Sequence, residues 1–339
     1  MITTSLEVLK EVIKIKHFNK LFRYPRIYNF LEDKEIKSLT RLDSIWRSGN
    51  TILLIDLKER GAGKGKYVFK ALENPEHVTE INQINLMKEY YPSFLPNIHC
   101  VDGPALLMDY VGGNNLFGLF RMKSEREILD ILASGAKSLC ETYKSYQGER
   151  GVGNALSQID YTLSHYAKKA VGKKNLSQAD YTDLERYLAN WQEALYGYSS
   201  QIVHNDLNMG NVIFSSNGLR AIDPEFDPLF TNDVAKDVGR YCASVFFNSF
   251  DYYKQDWRVS RSCLNAFYES FLSNFSDETL PERILFYFAQ SALSFSNFPT
   301  NGNLKPEDFL DLSLSIFQKG PEKIKLDSLQ GLTLACCRK

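Results

Sequence analysis

The segment Val203-His204-Asn205-Asp206-Leu207-Asn208-Met209-Gly210-Asn211 sets an Asp two residues after a His and an Asn five residues after that Asp. A second acid, Asp223, follows the apolar pair Ala221-Ile222. Phosphoryl transfer from a nucleotide uses these residue types in this order. One Asp orients an acceptor hydroxyl and takes its proton, and an Asn and a second Asp hold the metal ions that bridge the phosphates. On this reading Asp206 and His204 are the catalytic candidates, with His204 bracing the loop through a hydrogen bond. Asn211 and Asp223 are the metal candidates, for Mg²⁺. Ordinary turn chemistry explains Asn211 and Asp223 one at a time, but not the whole set with His204 and Asp206.

The elements that must position these side chains are legible nearby. Val212-Ile213-Phe214 and Leu219-Arg220-Ala221-Ile222 are two short apolar runs around Asn217-Gly218, a strong hairpin signal. A hairpin there brings Asp223 back beside Asn211. Upstream, residues 41–108 read as strand-rich, with strands over 42–46, 51–57 and 66–71. A helix follows over about 75–90, with Val78, Ile81, Ile84 and Met87 at helical spacing. Residues 1–40 read as a helical extension interrupted by Pro25. Beyond 112 helices dominate, and one begins by about residue 232.

This order predicts an α+β, two-lobed, protein-kinase-like fold. Residues 1–110 form an N-lobe, with a small antiparallel sheet and one helix over 41–110. Residues 111–339 form a helical C-lobe with the catalytic loop and the acceptor site. ATP is expected between the lobes. Lys70 closes the strand-like run Tyr67-Val68-Phe69-Lys70 and would reach the α- and β-phosphates; the alternative is a Lys guarding a sheet edge. Glu80 would hold Lys70, since apolar Ile84 and Met87 put it at the rim of a buried face, with Glu89 the competitor. Ser48 and Gly49 are the candidates for covering the phosphates. Residues 61–66 are Gly-rich but lack the phosphate-loop spacing and a following helix, and read as a hairpin turn. The run Ala105 to Gly113 reads as the lobe connector, with Asp109, Tyr110 and Val111 offering backbone groups to an adenine edge.

These residues resemble the aminoglycoside phosphotransferase and choline kinase superfamily of small-molecule kinases. The likeness rests on Lys70, Glu80, Met108 to Gly113, His204 to Asn211, Asp223 and Asp237, and spans about residues 40–245. His204-Asn205-Asp206 resembles the His-Asn-Asp form of choline and ethanolamine kinases. Asp223-Pro224-Glu225-Phe226 resembles methylthioribose kinases, as does Asp237-Val238-Gly239-Arg240, although those enzymes usually lack the Asn kept here at 211. Asp223 is not followed by Phe-Gly, and the segment before the next helix is too short for a protein-kinase activation loop. The resemblance implies an ATP- and Mg²⁺-dependent transferase acting on a small-molecule hydroxyl; the apolar pattern and the charged N-terminal residues predict a cytoplasmic protein. A sugar kinase of the methylthioribose kinase type and a non-catalytic nucleotide-binding protein are the alternatives.

Composition bounds the partners. The chain has 339 residues, 44% of them hydrophobic, and a net charge of −1, which gives no global case for binding nucleic acid or an anionic membrane. No apolar run approaches the roughly 18 residues of a membrane span, and Glu7, Lys10 and Glu11 stand where a secretory signal would be apolar. Six scattered cysteines without a C-x-x-C pair predict reduced thiols. Between 201 and 300, twelve acidic residues stand against seven basic ones, with Phe246, Phe247, Phe250, Tyr252, Tyr253 and Trp257 close by. Acids with aromatics favour a cationic acceptor, a choline-, ethanolamine- or aminoglycoside-like molecule; a neutral sugar is the alternative.

Overall fold

The structure is a computed structural model. It describes residues 21, 23–42, 51–57, 65–71, 78–215, 218–225, 232–254, 256–298 and 304–321, with the side chains of 78–80 outside that description. The Gly112–Gly113 pair divides the chain into two compact units, Met1–Gly112 and Gly113–Lys339.

In the first unit, α1 (Pro25–Glu32) opens with Pro25 at its first turn. Pro25 begins this helix where the sequence suggested an interruption, because a first-turn residue needs no N–H and a fixed φ suits it. Strand β1 (Ile36–Arg41) follows; the strand expected over 42–46 lies, apart from residue 42, outside the described residues. Then come β2 (Thr51–Leu57), β3 (Lys66–Ala71), α2 (Val78–Tyr90), β4 (Ile98–Asp102) and β5 (Ala105–Asp109). The sheet order is β1-β2-β3-β5-β4, antiparallel throughout, so β3 is the middle strand. Period-two alternation sends Leu53, Ile55, Leu57, Phe69, Ala71, Ala105 and Leu107 to one face, where Ile27 and Leu31 of α1 complete a core.

The second unit begins with β6 (Asn114–Asn115), α3 (Leu116–Met122), α4 (Glu125–Lys144) and β7 (Gly151–Val152). Next, α5 (Ala155–Tyr161) runs through a π-helical segment, Thr162–Ala167, into α6 (Lys168–Gly172). Then come α7 (Gln178–Ala189), β8 (Ser199–Ser200), the hairpin β9 (Val212–Ser215) and β10 (Gly218–Ala221), and the helices α8 (Val234–Tyr252), α9 (Trp257–Leu272), α10 (Leu280–Phe295) and α11 (Pro306–Lys319).

Helix α8 is buried over most of its length and packs against α10. The two helices approach closely at Gly239, where a Cβ would lie 2.7 Å from Ile284 O and 2.8 Å from Phe288 N. Hairpin β9–β10 takes β6 as a third strand, and this approach needs Gly113, whose φ is +142° and whose Cβ would overlap the Phe214 carbonyl. None of the described helices is long and apolar enough to cross a membrane.

Candidate active site

The hairpin pairs Val212 with Ala221, and Ile222 N–H donates to Asn211 O at 2.9 Å. That ladder places Asp223 one residue beyond the partner of Asn211. Asp223 has φ +56° and Asn205 has φ +65°. Asp and Asn are the residues besides Gly that tolerate this left-handed backbone best, and such conformations concentrate at functional sites. Both candidate segments therefore turn sharply at a residue suited to the turn.

The two segments are tied together through their main chains. His204 is buried, and its Nε2–H donates to Ile222 O at 2.8 Å. Glu225 N–H donates to His204 O at 3.0 Å, and Asn205 Nδ2 donates to Glu225 O at 3.3 Å.

Inside the loop, Asn208 acts as a staple. Its Oδ1 accepts from Gly210 N–H at 2.9 Å and Asn211 N–H at 3.3 Å, and its Nδ2 donates to Asp206 O and Oδ1, each at 3.2 Å. Asn211 Nδ2 donates to Asp206 O and Oδ2, both at 3.0 Å. Leu207 and Met209 anchor the loop by burial.

Helix α8 supports the loop along one stripe. Asp237 Oδ2 accepts from His204 N–H at 2.6 Å, Arg240 Nε donates to Asp206 Oδ1 at 2.6 Å, and Ser244 Oγ accepts from Met209 N–H at 3.0 Å. Positions 237, 240 and 244 are three and four apart, so they share a face one turn after another. Arg240 also ion-pairs with Asp206 through Nη2. Burial opposes the Arg240 charge, but the Asp206 carboxylate more than offsets this and Arg240 stays protonated. Asp237 is fully buried, and burial pushes its carboxyl up despite hydrogen bonds from His204 N–H and the Tyr143 hydroxyl.

The first unit places its candidates as follows. Lys70 lies on the middle strand, opposite Ile52 and Leu106, and is 3% exposed. It is no edge guard; a lysine is this buried only where its charge is met. Asp109 is already engaged. Its carboxylate accepts from Asn97 Nδ2 at 2.8 Å and pairs with His99 Nε2 at 2.6 Å, and its N–H donates to Asn97 O. Tyr110 N–H donates to Lys66 O at 3.0 Å. Of the three connector candidates, Val111 has an N–H with no partner among the described residues. Ser48 and Gly49, and the Gly-rich turn at 61–64, lie outside the described residues, as does the Glu80 side chain; Glu89 is exposed.

Four of the twelve acids behind the expectation of a cationic acceptor have structural tasks. Asp233 and Asp277 hold buried Arg283, Asp256 caps α9, and Asp237 supports His204. Phe246, Phe247 and Phe250 are buried core. Sequence reasoning left Asn208, Ser244 and Tyr143 unassigned and took Arg240 only as part of a motif. A helical wheel over 233–252 shows the 237/240/244 stripe once the helix is given.

For a metal ion, the residues fit. Asn211 spends its Nδ2 on Asp206, which leaves Oδ1 without a hydrogen-bond partner among the described residues. An amide oxygen and a carboxylate on one rigid hairpin match Mg²⁺, which takes one or two protein oxygens and completes its shell with phosphate and water.

No protein-family model and no curated protein matches the sequence. Solved structures do match in fold. A choline kinase from Cryptosporidium parvum is 14% identical, with a TM-score of 0.54 over 88% of this chain and 92% of that one. An ethanolamine kinase from Plasmodium vivax is 14% identical, with a TM-score of 0.54 over 99% and 95%. The ternary complex of APH(2″)-IIa with streptomycin and ATP is 16% identical, with a TM-score of 0.51 over 88% and 97%. The chain thus shares the fold of these solved choline kinase, ethanolamine kinase and APH(2″)-IIa structures.

Proposed function

We propose that the chain is a small-molecule kinase that moves the γ-phosphoryl group of ATP to an alcohol hydroxyl. The observation that carries this reading is the convergence of Asp206, Asn211 and Asp223 on one braced loop and hairpin. The first unit, with Lys70 and Val111, binds the nucleotide, and the second carries the catalytic loop and the acceptor site.

Asp206 accepts the proton of the acceptor hydroxyl as its oxygen bonds to the γ-phosphorus. The bond from the γ-phosphorus to the β,γ-bridging oxygen breaks, and its electron pair leaves with ADP. Asn211 and Asp223 would hold Mg²⁺, which when bound neutralises charge on the phosphate oxygens. Lys70, fixed in the sheet, contacts the α- and β-phosphates, with Glu80 as its partner on α2. The N–H of Val111 meets the adenine edge beside Asp109 and Tyr110, and Ser48 and Gly49 cover the phosphates. His204 holds the loop to Ile222 and stays outside the proton transfer. The solved neighbours include kinases of choline and ethanolamine and an aminoglycoside complex, so a small hydroxylated acceptor suits this fold.

Titration calorimetry with ATP and Mg²⁺ tests the nucleotide half of the reading. We expect Mg²⁺-dependent ATP binding that Asp223→Asn weakens by roughly tenfold or more, the size of losing a charge-assisted contact. Mg²⁺-independent binding, unchanged in that variant, counts against the assignment.

A further inference from the structure

Asn205, the residue before Asp206, is the pivot of the loop. On its N-terminal side, His204 N–H and O are held by Asp237 and Glu225, and on its far side Asp206 O accepts from Asn208 and Asn211. The direction in which the chain leaves His204, and with it the aim of the Asp206 carboxylate, turns on the left-handed backbone at Asn205. Glycine adopts that backbone freely but leaves the pivot loose, and alanine is strained there. Asparagine suits the turn and also offers a carboxamide by which the turn can be gripped.

The grip comes from Asn232, just before α8. Gln201 N–H donates to Asn232 O at 2.9 Å and Asn232 N–H to Gln201 O at 2.7 Å, a bridge that sets Asn232 beside the stretch leading into the loop. Its Nδ2 donates to Asn205 Oδ1 at 3.3 Å, and its Oδ1 accepts from Asp233 N–H at 2.9 Å and Gln158 Nε2 at 3.4 Å. Asn205 Nδ2 in turn donates to Glu225 O. The ends fix the direction of this chain. The Asp233 N–H only donates and the Glu225 carbonyl only accepts, so the two carboxamides between them are satisfied in one orientation. Asn205, Asn232 and Asp233 are buried, and a misturned amide would lose its bonds with no water to replace them. Asp233 is itself anchored, because it caps α8 and pairs with buried Arg283 at 2.7 Å.

We propose that Asn232 is a positioning residue for phosphoryl transfer: by gripping the Asn205 carboxamide it holds the left-handed turn that aims Asp206 at the acceptor hydroxyl. This rests on the phosphotransferase reading and adds a residue to that same site. Asn232 acts through Asn205, not on the reacting atoms. The Asp233–Arg283 pair gives it a fixed base, so the aim of Asp206 is set from the foot of α8 as well as from the Asp237, Arg240 and Ser244 stripe.

The test is a double-mutant cycle on the full chain: Asn232→Ala, Asn205→Gly and both together. The readout is ADP release from Mg-ATP, with choline, ethanolamine, glucose and glycerol as acceptor probes and with water alone. We expect each single change to lower kcat by roughly tenfold or more, the cost of a misaimed catalytic group, with ATP affinity by calorimetry unchanged. The double variant should fall no further than the worse single one, because both changes break the same bond. Asn205→Gly leaves the backbone unstrained, so its loss reads the side-chain grip alone. Native kcat in either single variant, or losses that multiply in the double variant, overturns the inference and leaves the kinase reading standing. Should Asn232→Ala fail to fold, Asn232→Asp takes its place, since it keeps the shape and the acceptor for Asp233 N–H and removes the hydrogen given to Asn205. If neither folds, Asn205→Gly decides: lowered kcat with native ATP affinity supports the inference, and native kcat overturns it. A native chain that neither binds ATP nor releases ADP overturns the kinase reading and the inference with it. If ATP binds without turnover, hydrogen exchange decides: faster exchange in Asn232→Ala confined to the amides of residues 206–211 supports the inference, and native exchange there overturns it.

Discussion

Asp206 is oriented by side chains from three places: Asn208 within its own loop, Asn211 at the start of the hairpin and Arg240 on α8. Asn208 also closes the turn through Gly210 and Asn211. Asn208→Ala removes four hydrogen bonds without touching the buried anchors Leu207 and Met209. We expect it to lower kcat by roughly ten- to a hundredfold, the cost of a misplaced catalytic group, while KM for ATP changes little. Steady-state kinetics at saturating and limiting ATP separate the two. The polar types at Asp206, Asn211 and Asp223 were legible because their spacing is local and chemistry restricts the residues that serve. The partners Arg240 and Ser244 were not, because they lie more than thirty residues away and join the loop only once α8 is folded.

The elements reveal which sequence signals carried structure. Strands β2 and β3 were visible because apolar runs with punctuating turns mark strands on their own. Strand β1 was missed because its sequence, Ile36-Lys37-Ser38-Leu39-Thr40-Arg41, is largely exposed and polar and gains its ladder from β2. Gly239 looked like part of a motif, and its physical reason is the close crossing of α8 and α10. Gly239→Ala puts a methyl against Ile284 O and Phe288 N, backbone atoms that cannot step aside. We expect a loss of about 1–3 kcal/mol in urea unfolding, the range for overpacking.

Helix α4 begins at Ser124, whose hydroxyl accepts from Glu127 N–H while Glu127 returns a bond to Ser124 N–H. Ser124→Ala should cost about 1 kcal/mol in the same experiment. The Asp277 carboxyl is opposed by burial but lies below its ordinary value because Arg283 and Thr279 bond its charged form. A depressed folded value contributes stability above the unfolded value, near pH 4, that is lost as pH falls through the folded one. Asp277→Asn should therefore cost roughly 1.5–3 kcal/mol at pH 7, and the difference should shrink below pH 4. Melting curves of both proteins from pH 7 to pH 3 check this.

On the scale of the molecule, the chain consists of a unit built on a five-stranded antiparallel sheet and a larger, mainly helical unit that holds the braced loop. The order of elements made this division legible, because a strand-rich segment precedes a helix-rich one and a Gly pair separates them. The acceptor was not legible. Counting acids over a hundred residues cannot distinguish those that hold Arg283 or cap a helix from those that face a ligand. The central claim is that Asp206 takes the proton of an alcohol acceptor during transfer from ATP. It is tested most directly by acceptor-dependent release of ADP, with mass detection of the phosphorylated product, in the native chain and in Asp206→Asn. Transfer should fall by at least about a thousandfold in the variant, combining loss of the base with loss of its place in the loop, while calorimetry still finds ATP bound with near-native affinity. Transfer within a few-fold of native in Asp206→Asn would contradict the account.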